Sequence, residues 1–258
     1  MTLNTTQIPE SCLASVSGST FVNADCFDVF PFIEDKSIDA IICDLPYGTT
    51  NCKWDSVLPF EKLWEHYNRV IKDNGVIILF GREPFSSKVR LSNEFNYRYD
   101  WIWEKSKATN FLFSKQMPLI AHEDIMIFYK KLPTYNPQKT KGKPYNKGVE
   151  KRTEIEAVGK IGNGNLLINE SGERNPRSVI YFRTAESEGK LHPTQKPIAL
   201  MEYLVRTYTN EGDTVLDNTM GSGTTNLACI KLNRKSIGIE KEKQYYDVAV
   251  RRASEYCH

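Results

Sequence analysis

An open α/β sheet of about seven strands, interrupted by a loop-rich insertion, is the fold this sequence predicts. Short apolar runs alternate with intervening helical stretches through residues 20–130 and again through 194–256, the pattern of strands wound with helices on both faces. The alternation lapses from 131 to 190, where Gly, Asn and Ser accumulate in GKIGNGNLLINESGERNPRS. At 258 residues the chain can bury one large core or one domain carrying an insertion.

The predicted strands are TFVNAD (20–25), IDAIICD (38–44), GVIILF (75–80), YDWIWEK (99–105), DIMIFYK (124–130), DTVLDN (213–218) and SIGIE (236–240). Each is β-branched, aromatic or otherwise apolar along most of its length, as expected of strands with no solvent face. Trp101 and Trp103 fall within one of them. Helices are predicted near 60–73, 84–93, 194–209, 224–233 and 242–256. No internal repeat or low-complexity tract interrupts the order.

Composition excludes several classes. No apolar run approaches the roughly 18 residues of a membrane span, and the first residues show no basic-then-apolar pattern, so no secretion signal is expected. Six cysteines (12, 26, 43, 52, 229 and 257) include no CxxC pair, which reads as reduced thiols in a cytosol and as neither a zinc site nor a disulfide framework. Net charge is +2, yet residues 130–152 hold eight Lys/Arg against the single Glu150, so the rest of the chain is net acidic. Taken alone, that basic, proline-containing stretch reads as a solvated loop.

Residues 212–249 carry the clearest local signal. A strand ends at Asp217, a glycine turn holds Gly221 and Gly223, a helix opens at Thr224, and a second strand ends at Glu240. Glycines allow a tight turn and close approach of a ligand to the backbone. An acid ending the next strand is placed to accept hydrogen bonds from ribose hydroxyls. The residue three after Gly223 is Asn226 where a dinucleotide fold wants a third glycine, and no P-loop lysine follows. A nucleoside without phosphates fits better, with S-adenosyl-L-methionine the leading candidate.

A second signal is AIICDLPYGTT (40–50). Asp44 ends an apolar strand and so falls on the same carboxyl edge as the glycine turn. Pro46 restricts Leu45 to extended backbone, fixing the Leu45 carbonyl and the Asp44 carboxylate as two acceptors for the two hydrogens of an exocyclic amine. Tyr47 offers a flat face for a base taken out of its stack.

These segments together resemble the beta class of amino-group (N6-adenine/N4-cytosine) DNA methyltransferases. DLPYG is similar to that family's catalytic D-P-P-Y motif, and VLDNTMGSGTT to its methionine-cofactor loop. HPTQKP (192–197) resembles the segment closing over the cofactor's methionine end. SIGIEKEKQYYDVA resembles the ribose-binding strand with its following helix, and FVNADCFD (21–28) the segment whose acid reads the cofactor adenine. HEDIMIFYK (122–130) matches a late strand of the class. Catalytic motif first and cofactor loop last is the class's permuted order, and the likeness covers most of residues 19–131 and 190–252.

The resemblance implies a Rossmann-like S-adenosylmethionine methyltransferase sheet, with a catalytic half over 1–131, a target-recognition insertion over 132–189 and a cofactor-binding half over 190–258. It places Asp44, Leu45, Pro46 and Tyr47 at the target base. It places Asp25, Cys26, Lys196, Asp217, Gly221, Ser222, Gly223, Thr224, Thr225 and Glu240 at S-adenosyl-L-methionine, with no metal. The partner implied is double-stranded DNA, contacted through Lys139, Lys141, Lys143 and Arg177, with Asn136, Gln138 or Asn146 as further base readers. A cytoplasmic enzyme of restriction–modification type, bound to the nucleoid when on DNA and with a homodimer allowed, completes the expectation.

Two positions depart from the family pattern: Leu45 replaces the first proline, and Asn218-Thr219 replaces Pro-Phe after Asp217. Leu45 acts through its carbonyl, so the chemistry is expected to survive. Adenine N6 is the expected target and cytosine N4 the alternative. RNA or protein-glutamine methylation, hydride transfer on a nicotinamide and a non-catalytic DNA-binding protein stand further off. Cys26, Cys43 and Cys52 are expected to be chemically idle, and His192 to orient its turn. Lys53, Trp54 and Asp55 are placed in a loop beside the catalytic motif.

Overall fold

The structure is a computed structural model that describes residues 2–49, 55–149, 166–189 and 194–257. The chain divides into two compact units, Met1–Asn136 with Ser178–His258, and Pro137–Arg177. In chain order the elements are β1 (Leu13–Val16), β2 (Ser19–Asn23), α1 (Cys26–Val29), β3 (Ile38–Cys43), α2 (Phe60–Val70), β4 (Ile71–Gly81) and α3 (Phe85–Ser92). There follow β5 (Tyr97–Thr109), β6 (Ile120–Phe128), β7 (Thr140–Lys141), β8 (Tyr145–Val149), β9 (Leu166–Asn169), β10 (Glu173–Arg174) and β11 (Val179–Phe182). The last are α4 (Ile198–Tyr208), β12 (Thr214–Asp217), α5 (Thr224–Lys231), β13 (Lys235–Glu240) and α6 (Lys243–Cys257).

Among the described residues the larger unit is built on a nine-stranded sheet of order β1-β2-β13-β12-β3-β4-β6-β5-β11. All seven expected strands are in it. The two additions are edge strands: β1 folds back on β2 through Ser17-Gly18, both at positive φ, and β11 runs parallel to β5. Positive φ at both turn positions is what a two-residue hairpin requires. From β2 through β4 the strands are parallel, whereas β6 is antiparallel to both β4 and β5. The carboxyl ends of β2, β13, β12 and β3 therefore share one edge of the sheet, and the amino end of β6 joins them.

Alternation along β3 divides the core. Ile41 and Cys43 pack with Leu63, Trp64, Tyr67 and Val70 of α2, while Ala40 and Ile42 pack with Leu200, Leu204, Val205 and Tyr208 of α4. Trp101 and Trp103 are buried strand residues; their indole N–H groups donate to Tyr208 Oη (2.6 Å) and the Phe182 carbonyl (3.0 Å).

The smaller unit starts later and ends earlier than the insertion expected over 132–189. β11 belongs to the main sheet, and Asn136 is anchored in the larger unit by bonds to the carbonyls of Arg206 (3.1 Å) and Thr209 (3.2 Å). Within Pro137–Arg177, β7 pairs with β10 and β8 with β9. Arg174 lies 4.8 Å from the Tyr145 ring centroid. Lys139 is ion-paired with Glu173 at 2.8 Å, and Lys141, Lys143 and Arg177 are exposed.

Gly223, at φ +73°, is fixed by packing. A Cβ there would lie 2.7 Å from Ala249 Cβ on α6. Gly223→Ala is expected to lower stability by about 1–3 kcal/mol, read as a reduced urea midpoint. An unchanged midpoint would show that α6 yields at no cost.

Candidate active site

A cavity of about 830 Å³ opens along the carboxyl edge, within the size range of small-ligand sites. Asp44, Leu45, Pro46 and Tyr47 line it, as do nine of the ten residues expected at the cofactor. The tenth, Gly223, turns the chain behind the wall against α6.

On one side the glycine turn is closed by its own backbone. Gly223 N–H donates to the Met220 carbonyl (2.8 Å), and Met220 N–H to the Ile239 carbonyl (3.0 Å). Glu240 ends β13 with Oε2 accepting from Gly221 N–H (2.9 Å) and Oε1 from Glu242 N–H (2.8 Å), so its carboxylate is held in place at the cavity wall. Burial raises its pKa against those backbone donors. Asp217 is pushed up to about 7, again chiefly by burial, with Thr225 and the Thr219 N–H opposing. Asp25 caps α1 through Phe27 N–H (3.0 Å) and pairs with Lys241 (3.1 Å). Burial lifts the neighbouring Cys26 thiol to about 11, which keeps it protonated.

The missing third glycine has a structural counterpart. Asn226 is fully buried, and its amide donates to Ser236 Oγ at 2.9 Å. Room for it comes from Gly238 on β13, where a Cβ would meet both Asn226 side-chain heteroatoms at 2.6 Å. The small residue has moved from the helix to the strand beneath it.

On the other side stands Asp44. Tyr47 Oη donates to its Oδ1 (2.7 Å) and Lys196 Nζ to its Oδ2 (2.5 Å). Lys196 also lies 3.2 Å from Glu123 Oε2, off the hydrogen-bond direction, and Glu123 Oε1 accepts from Lys105 at 2.7 Å. The result is an alternating buried row, Asp44, Lys196, Glu123, Lys105. Burial raises the Asp44 carboxyl, with Lys196 as the main opposing influence. Burial also works against Glu123 and Lys196, but opposite charges on both sides outweigh it, holding Glu123 low and Lys196 high.

Two further ties fix the catalytic strand end. Thr219 Oγ1 donates to the Asp44 carbonyl (3.1 Å). Asn218 Oδ1 accepts from Cys43 Sγ (2.9 Å) and Tyr67 Oη (2.5 Å). The Asn218-Thr219 departure thus joins the glycine loop to β3. Asp55 accepts from Gly48 and Thr49 N–H groups, each at 2.9 Å, bracing the loop after the motif. Lys53, Trp54, Cys52 and His192 lie outside the described residues.

Lys196, expected at the cofactor, lines the cavity with its ammonium engaged by Asp44 and Glu123. Asn136, expected as a further base reader, donates its amide to the carbonyls of Arg206 and Thr209. Glu123 and Lys105 are not among the expected site residues; their segments, HEDIMIFYK (122–130) and YDWIWEK (99–105), are expected only as strands.

A family model of DNA methylases (N6_N4_Mtase) matches residues 38–251, most of the chain. The protein belongs to that family. It is an amino-group DNA methyltransferase, and S-adenosyl-L-methionine is its cofactor. The methyltransferase is 32% identical over 246 residues to Type II methyltransferase M.HpaI of Haemophilus parainfluenzae, covering 85% of this chain and 69% of that one. It is 28% identical to M1.MboII of Moraxella bovis, covering 87% and 92%. Among solved structures, the M1.HpyAVI–SAM complex superposes with TM-score 0.61 at 28% identity, covering 90% and 97%. The cytosine-N4-specific PvuII DNA methyltransferase shares the fold, with TM-score 0.66 at 16% identity over 93% and 92%. No helix among the described residues is long and apolar enough to cross a membrane.

Lys196→Met removes the cation that opposes the burial penalty on Asp44. The Asp44 carboxyl is then expected to rise further, so methyl transfer should fail at higher pH as pH is lowered. A pH–rate profile whose acidic limb stays in place would separate Lys196 from the ionisation of Asp44.

Proposed function

We propose that this methyltransferase acts on N6 of an adenine turned out of duplex DNA, in the cytoplasm. The observation that carries the reading is the Asp44 carboxylate, half-buried and held by Lys196 and Tyr47 on the wall of the same cavity as Asp217 and Glu240.

The residues present fit the cofactor. Glu240 and Asp25 would accept from its hydroxyl and amino groups, the turn at Gly221 and Ser222 would admit it close to the backbone, and Asp217 would sit near its positive charge. S-adenosyl-L-methionine supplies an electrophilic methyl on a sulfonium. The chain's own groups aim the nucleophile. The Asp44 carboxylate and Leu45 carbonyl accept hydrogen bonds from the two N–H groups of the target amine, raising electron density on nitrogen and stabilising the positive charge that develops there; the methylated nitrogen, acidic once cationic, then gives up one of those protons toward Asp44 and solvent. Tyr47, whose ring is backed by Phe85 at 4.8 Å between centroids, stacks on the base. Holding base and donor in register supplies much of the remaining acceleration. The assignment to adenine rests on the ionised acid at position 44, which the resembled enzymes pair mostly with that base. The region 132–189 selects the target, with Lys141 and Lys143 at phosphates.

Incubation with unmethylated DNA and cofactor, digestion to nucleosides and mass spectrometry should yield N6-methyladenine. N4-methylcytosine would move the target to cytosine, and untouched DNA would sink both readings. Asp44→Ala should lower transfer by about a hundred-fold or more while cofactor affinity, measured by calorimetry, is nearly retained. Asp217→Ala and Glu240→Ala should instead weaken cofactor binding first; a normal Michaelis constant for the cofactor would remove them from the site.

Neutralising Lys139, Lys141 and Lys143 together should weaken binding across DNA sequences and flatten its salt dependence by roughly 0.9 in log–log slope per lost phosphate contact. Lys139 already has Glu173 as counter-ion and should contribute least. A salt slope identical to the wild type would return the segment to solvated loop.

A further inference from the structure

The loop joining β5 to β6 presents an apolar surface that the active site does not use. Phe111, Leu112, Phe113, Met117 and Leu119 are all exposed, Leu112 by 92% and Phe111 by 76%. Large apolar side chains gathered this way on a surface mark a contact face. The loop is also built. Asn110 takes a left-handed conformation (φ +73°), Phe111–Phe113 form a 3-10 turn, and the N–H groups of Phe113, Ser114, Gln116 and Met117 bond within the loop. Asn110 Nδ2 donates to Met117 Sδ at 3.3 Å. Backbone bonding therefore fixes a knob whose apolar side chains meet solvent.

Its place and charge indicate the occupant. Lys105 and Thr109 line the active-site cavity, and Phe111 follows Thr109 by two residues, a reach of about 7 Å. From Ser106 to His122 the chain carries Lys107 and Lys115 and no acidic residue, and Lys107 is ion-paired with Glu186 at 3.1 Å. An apolar knob that carries Lys115 at the rim of a base-binding cavity is complementary to the interior of a duplex lined by phosphates.

We propose that the 110–119 loop is a wedge that enters the DNA base stack at the place the target base has left. The inference rests on the reading above that a base leaves the duplex. Extrusion exposes two base faces that had been stacked, and an apolar side chain inserted between them replaces part of that contact. Phe111 and Leu112, the most exposed of the set, fill the gap, and Lys115 faces the adjoining backbone.

The test uses the recognition duplex identified from methylated DNA, and the double variant Phe111→Ser with Leu112→Ser. Single-turnover methylation is measured on the fully paired duplex and on one whose target base faces an abasic site, where the base is already loosened. The wedge predicts a fall of about tenfold or more on paired DNA, rates within about twofold of wild type on the loosened duplex, and unchanged cofactor affinity. Phe111→Trp with Leu112→Met should restore paired-duplex activity. Equal losses on both substrates, or no loss on paired DNA, overturn the wedge. So does sedimentation showing that the serine variant dissociates a dimer while both rates fall together, which assigns the knob to a second copy of the chain. Wild-type protein inert on every DNA fails at the first step and overturns the parent reading, an outcome visible before any variant is made.

Discussion

A carboxylate at the end of a central strand, largely out of water, keeps its charge only while a cation and hydrogen-bond donors face it. Asp44 is such a group, and the surrounding architecture follows from meeting its requirement. Lys196 arrives from the turn before α4 and is itself buried, so it needs a second counter-charge. Glu123 supplies that from β6, and Lys105 on β5 answers Glu123 in turn. Each member would be an uncompensated buried charge if a neighbour were removed, which is why such rows fail as units. The antiparallel direction of β6 is what makes the arrangement possible. A parallel strand would deliver its last residues to the carboxyl edge, whereas β6 delivers Glu123 near its start.

The same strand end is coupled to the glycine loop. Thr219 holds the Asp44 carbonyl, and Asn218 bridges Cys43 on β3 and Tyr67 on α2. Asn218 and Thr219, two of the residues that depart from the family pattern, thus tie the glycine loop to the strand end that carries Asp44. Asn226 over Gly238 is a second exchange of this kind, in which close helix–strand contact is retained with the small residue on the strand.

Most of the sheet could be read from the residues because its central strands are covered on both faces and so are apolar throughout. β1 and β11 escaped for the converse reason: they are edge strands, half-exposed, with no continuous apolar run. Asp44, Asp217 and Glu240 were legible because each ends a strand within an ordered set of turns and helices. Glu123 and Lys105 were not, since an acid and a base 18 residues apart give no pattern until the β5–β6 hairpin sets Trp103 opposite Glu123. Lys196 was read by its segment, but its length lets it reach across the cavity to Asp44. Asn136 and Lys139 looked like nucleic-acid contacts by residue type, and only the fold shows the carbonyls and carboxylate they already hold. The compact unit Pro137–Arg177 is shorter than the expected insertion because β11 lies past the basic stretch yet pairs in the main sheet.

The acids of the cavity fall into two electrostatic groups, and the division points to what each side accepts. On the Asp44 side, Glu123 and Asp44 face lysines, and the row carries no net charge. On the glycine-loop side, Asp217 and Glu240 are stabilised by N–H and hydroxyl donors, and burial raises both. That side is short of positive charge. A phosphate placed there would confront Asp25, Asp217, Glu240 and Glu242, with two cations opposing: Lys241, already paired to Asp25, and Arg252, bonded to Ser222 and Thr224 of the glycine loop. A ligand bearing a cationic centre and neutral hydroxyls would instead offset the burial of both strand-end acids as it bound. The charge pattern of the cavity therefore favours a sulfonium nucleoside over a dinucleotide, independently of any count of glycines in the turn.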